Sequence, residues 1–324
     1  MGKPAVIGLV GPTAGGKTAL SLRLAEEYPI EIICMDSMQV YRGMDIGTAK
    51  PTREEQCRIP HHMLDVADPA QPYSVAEYRR GAMAAIEGVL HRGLVPVLVG
   101  GTGLYLRALS QGLTLGNTPR DEAVRAQYQA LLARQGKQAL HDRLREVDPI
   151  SADRLHINDT RRVIRALEVW QITGRPFSAQ RPQADDSPYR FLLYAPDWPR
   201  DTLYQRIERR VDEMMQQGLM AEVRGLLARG VTPDMQSMQG LGYKELAPCI
   251  LDAADEQEAV ALIKRRTRNY AKRQLTWFRP DGRIRWLAPQ GMEEALLRQV
   301  RLDMEENDHC GAYRAGGNRL RACI

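Results

Sequence analysis

The sequence predicts an α/β fold, a parallel sheet with helices on both faces, into which an all-helical segment is inserted. Three observations carry that prediction. Short β-rich runs recur at "AVIGLV" (5–10), "IEIICMD" (30–36), "VPVLVG" (95–100), "RFLLYAP" (190–196) and "RIRWLAP" (283–289). Longer stretches of helical period separate most of them, and strands alternating with helices imply parallel crossovers. Between Gly112 and Pro188 no run reads as a strand. The expected division is a discontinuous core of residues 1–111 and 189–304, a helical insertion at 112–188 and a polar, frayed tail at 305–324.

The first run ends in Gly11, and Gly16, Lys17 and Thr18 then complete G-x-x-x-x-G-K-[ST] ahead of the amphipathic "KTALSLRLAEEY". Strand, glycine-rich turn and helix make a phosphate-binding loop, so the sheet is expected to be of the P-loop NTPase type. Its backbone N–H groups turn inward around an anion, Lys17 adds charge, and the Thr18 hydroxyl can ligate Mg²⁺, the expected cofactor. The cradle comprises Gly11, Pro12, Thr13, Ala14, Gly15, Gly16, Lys17 and Thr18. It specifies a di- or triphosphate without saying what is attached.

Asp36 follows the second run, at the carboxyl end where an open parallel sheet binds its ligands. The carboxylate is expected to face the same crevice as the phosphate loop, the alternatives being a turn cap or a partner to Mg²⁺. The third run ends in Gly100, Gly101 and Thr102 instead of an acid, which disfavours an ATP-hydrolysing machine. In the insertion, "EAVRAQYQALLARQG" and "TRRVIRALEVWQITG" are helical, the second with Asn158 and Asp159 as cap candidates and with Val163, Leu167 and Trp170 as its core side. Arg161, Arg162 and Arg165 begin that helix, a position suited to phosphate. After it, "DTLYQRIERRVDEMMQQG" carries an apolar stripe of Leu203, Ile207, Val211 and Met214, and helical spacing does not choose between Arg206 and Arg210 as the arginine facing the core.

A last long helix is expected from Asp255 to Phe278. There "KRRTRNYAKRQLTWFR" carries seven Lys/Arg and no acid, with Tyr270, Trp277 and Phe278 interleaved. Such a cluster can neutralise RNA phosphates through Lys264, Arg265 and Arg266. Trp277 and Phe278 are assigned to the core in preference to base stacking.

Composition sets the outer bounds. The chain has 324 residues and a formal charge of +5, enough for a polyanionic partner without demanding one. Five scattered cysteines show no paired spacing, so neither a disulfide framework nor a zinc site is expected, and the compartment should be the reducing cytoplasm. The first apolar run leads straight into the phosphate loop and is no signal peptide, and no segment is long enough to span a bilayer. His61 and His62 have no acid or cysteine at ligand spacing and are read as structural.

Taken in order, "GPTAGGKT", "DSMQVYRGMDIGTAKP", "VLVGGTGLYLRAL", "RRVIRALEV", "QGLGYKE" and "YAKRQLTWFR" resemble the bacterial tRNA dimethylallyltransferases, from about Ala5 to Arg279. Gly15 departs from the pattern, which usually has serine there. The resemblance implies transfer of a dimethylallyl group from its diphosphate to the exocyclic N6 of the adenosine just 3′ of the anticodon. The cradle would then hold a diphosphate leaving group.

By the same resemblance Asp36 accepts the amine proton, Thr13 contacts the bridging oxygen of the breaking bond, and Arg206 contacts the diphosphate. Asp36, Ser37, Met38, Gln39 and Thr102 contact the RNA, with Gln39 a candidate for the adenine edge. The implied partners are dimethylallyl diphosphate and the tRNA anticodon stem-loop; the sequence does not fix the oligomeric state, for which a monomer is the default expectation. The residues alone leave open a P-loop small-molecule kinase, an isopentenyltransferase acting on free adenine nucleotide, and a non-catalytic, nucleotide-gated RNA-binding protein.

Overall fold

The structure, a computed structural model, describes residues 3–111, 120–180 and 187–305. Six strands form one sheet: β1 (Ala5–Leu9), β2 (Ile30–Cys34), β3 (His61–His62), β4 (Val95–Val99), β5 (Arg190–Pro196) and β6 (Ile284–Leu287). Their order is β3-β2-β4-β1-β5-β6, and every pairing is parallel. Both faces are covered, so the central strands are continuous apolar runs in place of alternating ones. Val6, Ile7, Ile33 and Leu98 are fully buried.

Five of these strands are visible in the sequence, and β3 is not. It is two residues long, and its His62 Nε2 lies 2.6 Å from Glu31 Oε2, an oxygen that Arg92 also reaches at 2.5 Å. The histidine pair is an edge-strand anchor. Among the described residues no group of three acidic, histidine or cysteine side chains could hold a metal, and no helix is long and apolar enough to cross a membrane.

The helices are α1 (Lys17–Ala25), α2 (Arg53–Arg58), α3 (Val75–His91), α4 (Gly103–Ser110), α5 (Glu122–Val147), α6 (Pro149–Arg154), α7 (Thr160–Thr173), α8 (Arg200–Gln216), α9 (Leu219–Ala228), α10 (Tyr243–Leu251), α11 (Glu256–Phe278) and α12 (Met292–Glu305). The chain divides into two compact units. One comprises the described parts of Met1–Ser74, Tyr78–Leu106 and Pro188–Ile324, and the other those of Val75–Glu77 and Arg107–Ser187.

The second unit is helical throughout its described residues. Its core joins Tyr128, Leu140 and Leu144 of α5 to Val163 and Leu167 of α7. The sequence pattern ends a helix at Gly136. There the backbone does break (φ 80°), but helix resumes and carries Leu140 and Leu144 inward. Glu168 is completely buried, and it accepts from Arg125 at 2.8 and 3.0 Å, from Arg165 at 2.7 Å and from the Asp121 N–H at 2.9 Å. Burial pushes its carboxyl up, yet the two guanidiniums overcome this and bring it to about 2. Such a pair resists the removal of either partner, because a lone buried charge is costly.

In the first unit the strand register decides where ligands go. Leu9 and Cys34 both stand opposite Val99, so β1, β2 and β4 end at one level. Beyond them Gly100 N–H donates to Leu9 O at 3.1 Å and Met35 N–H to Val99 O at 2.8 Å. Gly100 crosses the Met35 backbone so closely that a Cβ would lie 2.0 Å from Met35 O. Gly100→Ala should therefore cost about 3 kcal/mol, read as a lowered urea midpoint. Gly93→Ala, at a left-handed glycine with nothing within 4 Å of an added Cβ, should cost about 1 kcal/mol. Equal losses would contradict the close crossing at Gly100.

Candidate active site

The loop from Gly11 to Thr18 joins β1 to α1. Gly11 (φ 118°) and Gly16 (φ 91°) take left-handed conformations open to glycine, and Ala14 (φ 58°) takes one that costs a side-chain-bearing residue about 1–3 kcal/mol. Neighbouring elements hold that strain. Arg206 Nε of α8 donates to Ala14 O at 2.8 Å, Trp198 Nε1 donates to Gly15 O at 2.8 Å, and the guanidinium of Arg206 lies over the Trp198 ring at 4.4 Å. Gly15 fits tightly, since a Cβ there would sit 3.0 Å from Pro12 O. A serine at this position would require the loop to give by a few tenths of an ångström.

Gln274 of α11 is buried and joins three parts of the site. Its Oε1 accepts the Thr13 N–H at 2.9 Å, its Nε2 donates to Gly101 O at 2.9 Å, and its side chain also meets Tyr270. The Thr13 amide is thus engaged, while α1 begins at Gly16 without a side-chain cap and leaves helix N–H groups for an anion. Lys17 Nζ donates to Gly11 O at 3.1 Å and Pro12 O at 2.7 Å. Burial, and then the positive Arg210, lower its pKa to about 7 against the opposing pull of Asp36.

Asp36 follows β2, and its Oδ1 accepts the N–H groups of Met38 at 2.8 Å and Gln39 at 3.3 Å. Burial raises its pKa, while those two bonds and Lys17 hold it down. Ser37 N–H donates to Thr102 Oγ1 at 3.2 Å, which ties the Asp36 turn to the end of β4. Burial likewise raises the Tyr270 hydroxyl, which faces Asp36 and Thr102.

Two cavities meet here. One, of about 280 Å³, is lined by the phosphate loop with Asp36, Gln39 and Arg206. The other, of about 310 Å³, has walls from Met38, Ile207, Met214, Leu241, Tyr243 and Ile263. Thr13, Asp36, Thr48, Ala49 and Arg210 line both. An anion-binding chamber and a largely apolar chamber therefore share a junction at which a carboxylate stands. Thr18 lies in the first, and its hydroxyl is suited to a hard cation that takes its other ligands from phosphate oxygens and water.

Several residues singled out in the sequence are engaged elsewhere. Gln39 donates its side-chain NH₂ to Thr48 O and Ala49 O, both at 3.1 Å, which makes it a tie to that loop. Lys264 pairs with Asp212 at 2.6 Å, Arg266 with Glu245 at 2.6 Å, and Arg268 with Glu208. Acids on α8 and α10 thus neutralise much of the basic face of α11, whereas Arg265 stays exposed. Arg165 serves the buried Glu168, and Arg162 meets Asp159 at 3.2 Å, whereas Arg161 is exposed. Phe278 is core, but Trp277 is 36% exposed, with its indole filling the space a side chain at Gly103 would need.

Arg210, Gln274 and Tyr243 were not assigned to the site from sequence. Arg210 follows Arg206 by one turn and Gln274 follows Tyr270 by one turn, so helical period offered a signal in both cases. Tyr243 lies in "QGLGYKE", one of the stretches that carry the family resemblance, and that is its signal.

Comparison with known proteins matches the IPP transferase model over residues 39–281 and the isopentenyl transferase model over residues 4–65. The chain is 49% identical over 289 residues to a tRNA dimethylallyltransferase of Trichlorobacter lovleyi, covering 88% of this chain and 94% of that one. It is 48% identical over 301 residues to that of Pelotomaculum thermopropionicum, covering 92% and 96%. A solved tRNA isopentenylpyrophosphate transferase of Bacillus halodurans superposes with a TM-score of 0.71 at 40% identity, over 96% of this chain and all of that one. A eukaryotic dimethylallyltransferase acting on tRNA superposes with a TM-score of 0.79 at 29% identity, over 96% and 81%.

The state of Lys17 gives a pH prediction. Without an anion the amine is mostly neutral above pH 7, and a bound anion favours the ammonium, so binding must take up a proton. Inorganic pyrophosphate titrated at pH 8 should take up about one proton, read by calorimetry in two buffers of different ionisation enthalpy. Affinity should fall as pH rises, and Lys17→Arg should remove the uptake. Equal uptake in both proteins would mean that Lys17 is already charged.

Proposed function

This chain belongs to the tRNA dimethylallyltransferase family, and from its site we infer how it transfers a dimethylallyl group from the diphosphate to N6 of the adenosine immediately 3′ of the anticodon in tRNA. The carrying observation is the junction of the two chambers at Thr13, Asp36 and Arg210. A prenyl diphosphate has an anionic half and an apolar half, and the bond between them is the one that breaks. Seated across the junction, it would present that bond beside Asp36.

Two physical difficulties define the residues' work. Diphosphate leaves with its charge, and the adenine amine is a poor nucleophile because its lone pair is delocalised. For the first, the α1 N–H groups, Lys17, Arg206 and Arg210 surround the departing oxygens, each such donor being worth on the order of 3 kcal/mol in comparable sites. Thr13, whose amide is engaged by Gln274, offers its hydroxyl to the bridging oxygen. The Thr18 hydroxyl would hold Mg²⁺, and the ion would supply further neutralisation of the leaving group's charge when bound. For the second, Asp36 takes the proton from N6 as the C–N bond forms and the C–O bond breaks, assistance typically worth about 10² to 10⁴ in rate.

The adenosine must leave its stack, which costs a few kcal/mol in a duplex and less in a loop. The anticodon stem-loop is therefore a substrate whose base is easily extruded. Phosphate contacts are assigned to the exposed Arg161 and Arg265, and to Arg162, whose exposed pair with Asp159 is weak.

Incubation with Mg²⁺, allyl-labelled dimethylallyl diphosphate and unmodified tRNA should label the tRNA alone when AMP is offered in parallel. Label on AMP would indicate a free-nucleotide transferase, and phosphate transfer from ATP without prenylation a kinase. Arg161→Ala and Arg265→Ala should each weaken tRNA binding and reduce the slope of log affinity against log salt by about 1. An unchanged slope in both would move the phosphate contacts elsewhere.

A further inference from the structure

Glu222, on α9, has no part in the chemistry above, yet its carboxylate accepts four hydrogen bonds. Oε2 receives the N–H groups of Asp45 and Ile46, each at 2.8 Å. Oε1 receives the Gly47 N–H at 3.1 Å and the Tyr243 hydroxyl at 2.6 Å. Three successive amides converging on one carboxylate fix the start of the loop. Tyr243 closes the other side, because a Cβ at Gly47 would lie 2.6 Å from its ring.

Immediately after Gly47 the chain forms the shared wall of the two chambers. Thr48 and Ala49 line both, and Ala49 is left-handed (φ 49°), a conformation that persists only where its surroundings enforce it. The carbonyls of these two residues hold the Gln39 amide, and the Gln39 N–H reaches Asp36 Oδ1. A path of hydrogen bonds joined by short stretches of covalent chain therefore runs from Glu222 through the loop and Gln39 to Asp36. The far end of the loop is pinned separately, by the buried Lys50 to Asp45, Asp65 and Tyr41 O.

We propose that Glu222 is a positioning residue, which holds the 45–49 loop as the partition between the chambers and, through Gln39, holds Asp36 at their junction. The proposal rests on the transferase reading for its effect on rate, and on geometry alone for its effect on the loop. It separates the loop's placement from the binding of diphosphate, which the phosphate loop performs without it.

Glu222→Gln keeps the size of the side chain but turns an NH₂ group toward N–H or O–H donors whichever way the amide lies. With tRNA and dimethylallyl diphosphate, kcat should fall about tenfold while the KM for the diphosphate stays within about twofold, the mark of misplacement without lost binding. Gln39→Ala should have a similar effect, and the double variant should lose little more than either, since both cut one path. Tyr243→Phe, which removes one of the four bonds, should lose only a few-fold. An unchanged kcat, a matching rise in KM, or fully additive losses would overturn the proposal.

Amide hydrogen exchange tests it whether or not the chain prenylates tRNA. In Glu222→Gln the amides of Asp45, Ile46 and Gly47 and those of Met38 and Gln39 should all exchange about tenfold faster. Faster exchange confined to 45–47 would break the path at Gln39 and overturn the proposal. Label transfer by the unsubstituted protein reports separately on the transferase reading.

Discussion

The site depends on the parallel register that sets Leu9 and Cys34 level with Val99. Three strands ending at one height send three loops into one crevice, carrying the phosphate cradle, Asp36 and Thr102. The close crossing of Gly100 over Met35 brings the second and third loops together, and the Ser37 N–H to Thr102 bond follows from it. Shifting one strand by a residue would turn its side chains to the other face and dismantle this convergence.

On that frame the site is held by buried polar groups that arrive from distant helices. Gln274 ties the phosphate loop to the end of β4, and Arg206 with Trp198 ties the same loop to α8 and the segment before it. None of these is a large energy by itself, for a hydrogen bond contributes about 1 kcal/mol net. Their weight lies in fixing strained backbone at Ala14 before any ligand arrives. Cations crowd the same space: burial and then Arg210 lower the affinity of Lys17 for its proton, and burial and then Arg206 lower that of Arg210. A diphosphate relieves that repulsion, so part of its binding energy is already stored in the fold.

How much of this was legible in the sequence depended on whether the determinant was local. The phosphate loop and its flanking strand and helix form one contiguous motif, and five strands announced themselves as apolar runs. The two-residue β3 has no run to announce, being defined by pairing with β2. At the site, Asp36 was readable from its place after a strand. The tie made by Gln274, 261 residues from Thr13, and the clasp of Glu222 on the 45–47 amides were not, because both join segments remote in sequence. The pairing of the basic stretch of α11 was hidden for the same reason. Its charges look unopposed along the chain, and their acidic partners lie on α8 and α10.

The central claim is that Asp36 acts on the reacting amine and not on binding. Single-turnover transfer by Asp36→Asn, with tRNA and diphosphate affinities measured on the same preparation, tests this most directly. Transfer should slow about 10² to 10⁴-fold with both affinities nearly unchanged. Transfer at the original rate, or a loss wholly explained by weaker tRNA binding, would contradict the account.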